Sequence, residues 1–576
     1  MITPDLVDRL RRRLRGLYGP RAETTCSGLL AVAERHLPQL GRRAPRRWDQ
    51  RDVVLIVYGD QVSSPGRSPL ATLHDVLVSA GLDSLVSTLH LLPFYPHSSD
   101  DGFSVIDYRA VDAALGDWDD IERLGRRFEL MFDLVLNHAS RHSRWFQEYL
   151  AGREPYCRWF LEVAPDADLS LVPRPRVSPL ATEVMTARGP RRVWTTFSAD
   201  QIDLNYANPE VLVEMADVLL SYVARGARIV RLDAVAYLWK QPGTPCIHLP
   251  QTHEVVKLLR DLLEGLAPDV LLLTETNVPH AENVRYLGEG DEAHMVYQFS
   301  LPPLLLDAYL LADTGPLADW LDGLPAPPSG TTYFNFTASH DGIGLRPLED
   351  LVPETRREAL IEAVRRRGGL VSCGRRPDGS ESPYELNVSY LDALGEPGGL
   401  APKLHARRFL GAQAVALALR GMPAVYFPSL FGIPGDSEAA LASGQWRRIN
   451  RRKLQEHELR RMLEEGDGLA ALVFSGYRRL LAARRRQPAF HPDAAQTLLP
   501  TGSTKTLALL RTSLDGRQTI LVAANVDGAR QSVELPGAWR GRMVRDLVEG
   551  RPCPPAGRRL DLEPYQTVWV ELAPGD

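Results

Sequence analysis

Eight short apolar runs, mostly separated by helix-like stretches and closing on polar residues, limit this chain more than any other feature. They fall at 53–58, 84–92, 130–136, 227–233, 269–274, 294–299, 332–337 and 422–427. Their Val, Ile and Leu content suits strands buried on both faces. Helix patterns at 68–80, 118–127, 210–223, 252–266 and 406–419 lie between them. Strands alternating with helices predict a parallel sheet, and eight of them predict an α/β fold built on a (β/α)8 TIM barrel. In such a barrel the C-terminal strand ends meet on one face, so residues distant in sequence converge there.

The remaining segments read as additions to the barrel. Residues 1–50 predict a helical cap, with Leu10, Leu14 and Leu17 as its apolar stripe and Arg9, Arg11, Arg12, Arg13 and Arg15 as a solvated face. The barrel is expected over 51–138 and 206–487, an inserted subdomain over 139–205, and a second insertion carrying an active-site loop over 345–405. Short alternating strands at 506–510, 519–524, 532–535 and 567–572 predict a small antiparallel β domain over 488–576.

Composition excludes several function classes. A chain of 576 residues with 44% hydrophobic and 24% charged residues has the makeup of a large globular protein. Its formal net charge of -5 gives no footprint for nucleic acid or an anionic membrane. Asp5 and Asp8 interrupt any leader-like run at the start, and no stretch is long and apolar enough to span a membrane. Cys26, Cys157, Cys246, Cys373 and Cys553 are scattered and lack metal-ligand spacing, which leads us to expect the cytoplasm. No Gly-rich phosphate loop is present, and no cofactor and no metal are expected.

Three acids stand at strand ends: Asp233 after Arg231, Glu275 after Thr274, and Asp341 after His340. Cleavage of a glycosidic bond with retention needs one carboxylate to attack and one carboxylic acid to protonate the leaving oxygen. A third can stabilise the positive charge of the transition state. Arg231, His138 and His340 would supply hydrogen-bond donors around a bound sugar.

The runs Asp133-Leu134-Val135-Leu136-Asn137-His138, Arg231-Leu232-Asp233-Ala234-Val235, Thr274-Glu275-Thr276-Asn277 and Ser339-His340-Asp341 occur in that order. Together they resemble the motifs of the α-amylase superfamily, glycoside hydrolase family 13. The resemblance runs from about Val53 to the end. It implies Asp233 as nucleophile, Glu275 as general acid/base and Asp341 as transition-state stabiliser. Asn137 resembles a calcium-ligand position of amylases, although the sequence does not offer the rest of an oxygen set.

Within the superfamily the chain is most similar to the sucrose phosphorylase branch, through Leu92-Pro93-Phe94, Asp101-Gly102-Phe103, Val193-Trp194, His340-Asp341-Gly342-Ile343-Gly344 and Ile449-Asn450-Arg451. By resemblance Asp100, Phe103, Tyr237 and Arg451 belong to the sugar pocket. The branch's Tyr-Gln pair is Tyr384-Glu385 here, and its His two positions after the acid/base is Asn277. These departures and the extended N-terminus look more like glucosylglycerol and glucosylglycerate phosphorylases. The expected activity is therefore phosphorolysis of a small α-glucoside through a covalent β-glucosyl-enzyme, giving α-glucose 1-phosphate. Sucrose phosphorolysis, or α-glucoside hydrolysis or transglucosylation, stands as the alternative. Asn277, Tyr384 and Glu385 are expected on the acceptor side, and Arg174 or Arg176 on phosphate. The expected partners are the glucoside and inorganic phosphate, with a homodimer left open.

Overall fold

The computed structural model of this chain describes residues 2–41, 44–45, 47–375, 380–534, 543–552 and 559–573. Cys553 and Leu535 lie outside the described residues.

Eight parallel strands close into a barrel in chain order: β1 (Val54–Val57), β2 (Thr88–Leu91), β3 (Glu129–Val135), β4 (Ala227–Asp233), β5 (Leu271–Thr274), β6 (Met295–Tyr297), β7 (Thr332–Asn335) and β8 (Met422–Tyr426). Closure pairs Val54 of β1 with Ala424 of β8. All eight expected strands form, several of them shorter than the apolar run. The run at 84–92 spends its first residue in a 3-10 turn, Leu82–Ser84, before β2 begins. Every residue of β1, β2, β4 and β5 is buried, and β1 and β5 accordingly read as nearly continuous apolar runs.

The register fixes the site. Asp133 of β3 lies opposite Arg231 of β4, Val135 lies opposite Asp233, and Leu232 lies opposite Thr274 of β5. Asp233 and Glu275 are thereby delivered to neighbouring strand ends.

Two helices, α1 (Pro4–Tyr18) and α2 (Ala22–Leu40), pack on the outside of the barrel helices α3 (Pro209–Ala224) and α4 (Pro250–Leu266). Thr3 caps α1 through its side chain. The buried stripe is Leu6, Leu10, Leu14 and Tyr18, while Leu17 is half-buried. The helices come close at Gly265, where an added Cβ would fall 2.5 Å from Leu6. The basic run is not wholly solvated. Arg9 and Arg13 reach Asp261 on α4 at 2.6 and 3.1 Å, and Arg12 and Arg15 stay exposed.

After β3 the chain forms a pair of short strands, His138–Ser140 with Gln201–Asp203, and a hairpin of Ala181–Thr186 with Gly189–Trp194. After β7 it forms a three-stranded antiparallel sheet in which Glu381–Asn387 lies between Ile343–Gly344 and Leu370–Arg375. The two excursions touch where Arg375 N–H donates to the Arg174 carbonyl at 3.2 Å.

Beyond the helix α5 (Leu469–Arg484), a five-stranded antiparallel sheet runs in the spatial order Ala495–Leu499, Thr506–Thr512, Thr519–Asn525, Thr567–Leu572, Met543–Asp546. The strands at 495–499 and 543–546 are additional to those expected from the sequence. Both are partly exposed, so their apolar signal is weak. Two buried arginines join this sheet to the barrel through backbone carbonyls alone: Arg484 binds those of Leu417 and Phe490, and Arg511 those of Ala418, His491 and Ala494.

Candidate active site

Asp233 closes β4, and the chain then turns sharply. Ala234 takes a left-handed conformation, φ +50°, which costs a residue with a Cβ roughly 1–2 kcal/mol. The turn aims the Ala234 N–H at Glu275 Oε2, 3.0 Å away. Glu275 in turn donates its own N–H to the Leu232 carbonyl at 3.1 Å. Asp341 follows β7 by a short loop, and its N–H donates to Ser339 Oγ at 3.2 Å. The three acids line one pocket at the C-terminal face of the barrel.

Arg231 lies beneath them. Its Nη1 bonds both Asp133 and Asp233, the latter at 2.7 Å. The guanidinium lies between the rings of Phe103 and Tyr297, 5.6 and 5.7 Å from their centroids. Asp133 is also held by His90 Nε2 at 2.7 Å. This column is buried, so its charges act through a poorly screened medium.

Burial pushes the carboxyls of Asp233 and Glu275 up to about 7, and the negative charge of Asp341 adds to it. The two groups are not equivalent. Asp233 has a guanidinium at 2.7 Å, whereas Glu275 has one backbone N–H. Arg231 favours the ionised form of both carboxyls, and its direct bond makes that effect most immediate on Asp233. Asp341 is held well below the usual carboxylate range despite its burial. Arg447 lies 2.5 Å from it and Arg451 3.6 Å. Burial pushes the His340 imidazole down to about 3, so the ring is neutral at physiological pH; it stacks on Phe103 at 4.7 Å.

Asp100, Phe103, His138, Arg176, Tyr237, Asn277, His340 and Tyr384 line the same pocket. Other expected contacts are placed differently. Arg231 is committed to the two aspartates below the pocket floor. His138 is neutral, as burial lowers its pKa, and gives its Nε2–H to the Phe103 carbonyl at 2.9 Å rather than to a sugar. Glu385, expected to face the acceptor, lines an adjoining cleft that shares Asp100, Arg176 and Arg447 with the pocket, and its carboxylate accepts from Gly342 N–H at 2.6 Å and from Arg447 Nε at 3.0 Å. A buried carboxylate needs such partners; the strand pairing of Gly344 with Glu385 brings the Gly342 N–H close, and the turn Trp446–Asn450 brings Arg447. Arg451 lines that adjoining cleft and donates to the His340 carbonyl at 2.9 Å and to Asp101 at 2.8 Å. Arg174 lies in another adjoining cleft.

Sequence reasoning did not single out Arg447, Phe197 or Gln201, which also line the pocket. Arg447 lies in the 3-10 turn Trp446–Asn450, just before the Arg451 motif, and that proximity was the available signal.

Asn137 has an unexpected partner. Its Oδ1 accepts from the Lys240 ammonium at 2.8 Å, and the same Nζ lies 2.5 Å from both Asp203 Oδ2 and the Tyr237 carbonyl. A lysine cation thus occupies the oxygen set around Asn137 and links Asp203 to the turns that follow β3 and β4.

Comparison with known proteins agrees with this geometry. Residues 82–308 match the alpha amylase catalytic domain, and residues 496–569 match the maltogenic amylase C-terminal domain. The chain is 47% identical to glucosylglycerate phosphorylase of Spirochaeta thermophila, over 98% of each chain. It is 44% identical to that of Escherichia coli, over 92% of this chain and 93% of the other. The crystal structure of sucrose 6F-phosphate phosphorylase from Thermoanaerobacter thermosaccharolyticum superposes with a TM-score of 0.72 at 25% identity, covering 83% of this chain and 94% of that one. Among the described residues no helix is long and apolar enough to cross a membrane. With its closed barrel, its acids at the strand ends and these full-length relatives, the chain belongs to the α-amylase superfamily, glycoside hydrolase family 13, as a glycosyl-transferring enzyme of the phosphorylase type.

Proposed function

We propose that the protein is a retaining glucosylglycerate phosphorylase that works by double displacement. The observation that carries the substrate is the 47% identity with a glucosylglycerate phosphorylase across 98% of both chains. The unequal surroundings of Asp233, bonded to Arg231, and Glu275, bonded to one backbone N–H, support the mechanism.

In this reading the glucosyl ring occupies the pocket against Phe103, His340 and Asp100. Asp233, ionised beside Arg231, attacks the anomeric carbon. Glu275 gives its proton to the glycosidic oxygen, and glycerate leaves. Positive charge develops on the ring, and Asp341, kept anionic by Arg447, stabilises it. The product of this step is a β-glucosyl ester of Asp233. Phosphate then attacks from the face that glycerate left, the ester bond breaks, and α-glucose 1-phosphate forms with retention. Phosphate arrives already anionic, so this second step asks less of Glu275 as a base. Arg176 in the pocket wall is the cation we assign to phosphate there. We assign Tyr384 and Asn277 to the acceptor; both line the pocket, as does Tyr237.

The test is direct. Purified protein is incubated with glucosylglycerate, glucosylglycerol or sucrose, with and without phosphate, and glucose 1-phosphate and free glucose are quantified. Phosphate-dependent glucose 1-phosphate from glucosylglycerate is the expected result. Free glucose formed at the same rate with or without phosphate would make the protein a hydrolase and overturn the reading.

A further inference from the structure

The loop that carries Asp100 and Phe103 to the pocket has a strained backbone. Asp100, Asp101 and Gly102 take positive φ in succession, +53°, +46° and +114°. A residue with a Cβ is disfavoured there, so two aspartates in a row need support from their surroundings. Gly102 is tightly seated, since an added Cβ would fall 2.6 Å from the Pro93 carbonyl oxygen. At its base the loop is closed by an antiparallel bridge of His97 with Val105, and Ser98 N–H donates to the Ser104 carbonyl at 3.1 Å.

One carboxylate gathers both ends of this loop. Asp200, just before the short strand Gln201–Asp203, accepts at Oδ2 from the hydroxyls of Ser98 at 2.6 Å, Ser104 at 2.8 Å and Ser99. Three hydroxyl donors on one oxygen call for the negative charge of a carboxylate. Burial would raise the Asp200 carboxyl, yet these hydroxyls hold it below its ordinary value. Ser140 Oγ lies 2.6 Å from Ser98 Oγ, and Ser104 and Ser140 are fully buried. The next residue, Gln201, donates from Nε2 to the Phe103 carbonyl at 3.3 Å. On the other flank Arg451 ties down the side chains of Asp101 and Asp100, at 2.8 and 3.2 Å. Asp200 itself lines the adjoining cleft and not the pocket, so it acts on the pocket only through the loop.

We propose that Asp200 is a positioning residue, whose carboxylate clasps the two ends of the loop 98–104 and so fixes where Asp100 and Phe103 meet the glucosyl ring. The proposal rests on the placement of that ring in the reading above. Without the clasp the backbone at Asp100 and Asp101 is free to relax towards negative φ. That change swings the Asp100 carboxylate away from the pocket and shifts the Phe103 ring off His340, on which it stacks. A binding geometry that must hold to within about 0.5 Å is lost by such a shift even when the fold survives.

Two measurements test the clasp. The first is cleavage of an activated aryl α-glucoside by the wild type, Asp200→Ala, Asp100→Ala and the double variant. This substrate reports glucosyl transfer whether phosphate or water accepts the glucosyl group. Asp200→Ala should lower kcat/KM at least tenfold while its thermal midpoint stays close to that of the wild type. Asp100→Ala should cost much less in the Asp200→Ala background than in the wild type, because the first change has already misplaced the group that the second removes. The second is amide hydrogen exchange, which should speed up over 98–104 in Asp200→Ala and stay as in the wild type over the barrel strands. Unchanged kcat/KM, full additivity of the two losses, or unchanged exchange in the loop overturns the proposal. Should Asp200→Ala fail to fold, Asp200→Asn, which keeps an acceptor oxygen but no charge, decides by the same comparison. Free glucose with no glucose 1-phosphate in the presence of phosphate would refute the phosphorylase reading, while non-additive losses in that same assay would still uphold the clasp. If the wild type cleaves no glucoside, the exchange measurement decides alone.

Discussion

Replacing Glu275 by Gln should stabilise the protein at alkaline pH, although it removes the proposed acid. Burial raises the Glu275 carboxyl from 4.5 to about 7. Between those two values the folded protein holds a proton that the unfolded chain has released. Stability therefore falls as pH rises through this window, and above pH 7 the full cost is present. At about 1.4 kcal/mol for each pKa unit, the cost is roughly 3 kcal/mol. Part of the Glu275 side chain is open to the pocket, and solvent screening there trims the figure to about 2 kcal/mol. Gln keeps a carbonyl oxygen for the Ala234 N–H and carries no charge to bury. Unfolding entropy scales with length, so in a chain of this size about 2 kcal/mol corresponds to about 2 °C in the thermal midpoint. The assay compares wild type and Glu275→Gln by thermal unfolding from pH 4 to pH 8.5 at one scan rate. The variant should match the wild type near pH 4 and exceed it by about 2 °C above pH 7.5. A difference independent of pH, or a variant less stable at pH 8, would refute the reasoning.

The remaining predictions concern other members of the site. Asp233→Asn should lower kcat by about 10³-fold or more in a coupled glucose 1-phosphate assay while leaving the circular dichroism spectrum unchanged; most of the activity surviving would remove Asp233 from the nucleophile role. Arg447→Ala takes the nearest cation from Asp341, whose pKa is depressed, so the acid limb of the kcat profile should move to higher pH; an unmoved limb would count against Arg447 as the group that holds Asp341 ionised. Lys240→Met keeps the stem but leaves the buried Asp203 carboxylate with hydrogen bonds from Thr196 and Asn137 alone, and denaturation should show a loss of about 3 kcal/mol.

The barrel was legible because two-faced burial writes itself into composition: β1 and β5 admit little besides aliphatic side chains. The acids were legible because each closes such a run. What escaped the sequence was pairing between segments. Nothing near Glu385 announces that it accepts from Gly342 and Arg447, since those bonds depend on a strand register set after the chain has folded. His138 looked like a free donor because the Phe103 carbonyl that takes its proton is a backbone atom, which every sequence contains. The strands at 495–499 and 543–546 were missed for a different reason, as half-exposed edge positions carry a mixed pattern.

Lys240 has a consequence for how the acceptor side is kept in shape. The cation that joins Asp203, Asn137 and the Tyr237 carbonyl is tethered to the chain. A tethered charge has a fixed effective concentration at its site. It cannot be diluted away, taken by a chelator or exchanged for a competing ion, so this junction holds its geometry whatever the ionic composition around it. The tether also has a cost in adaptability: with the cation built in, the turn that carries Tyr237 cannot be loosened or tightened by the supply of an ion.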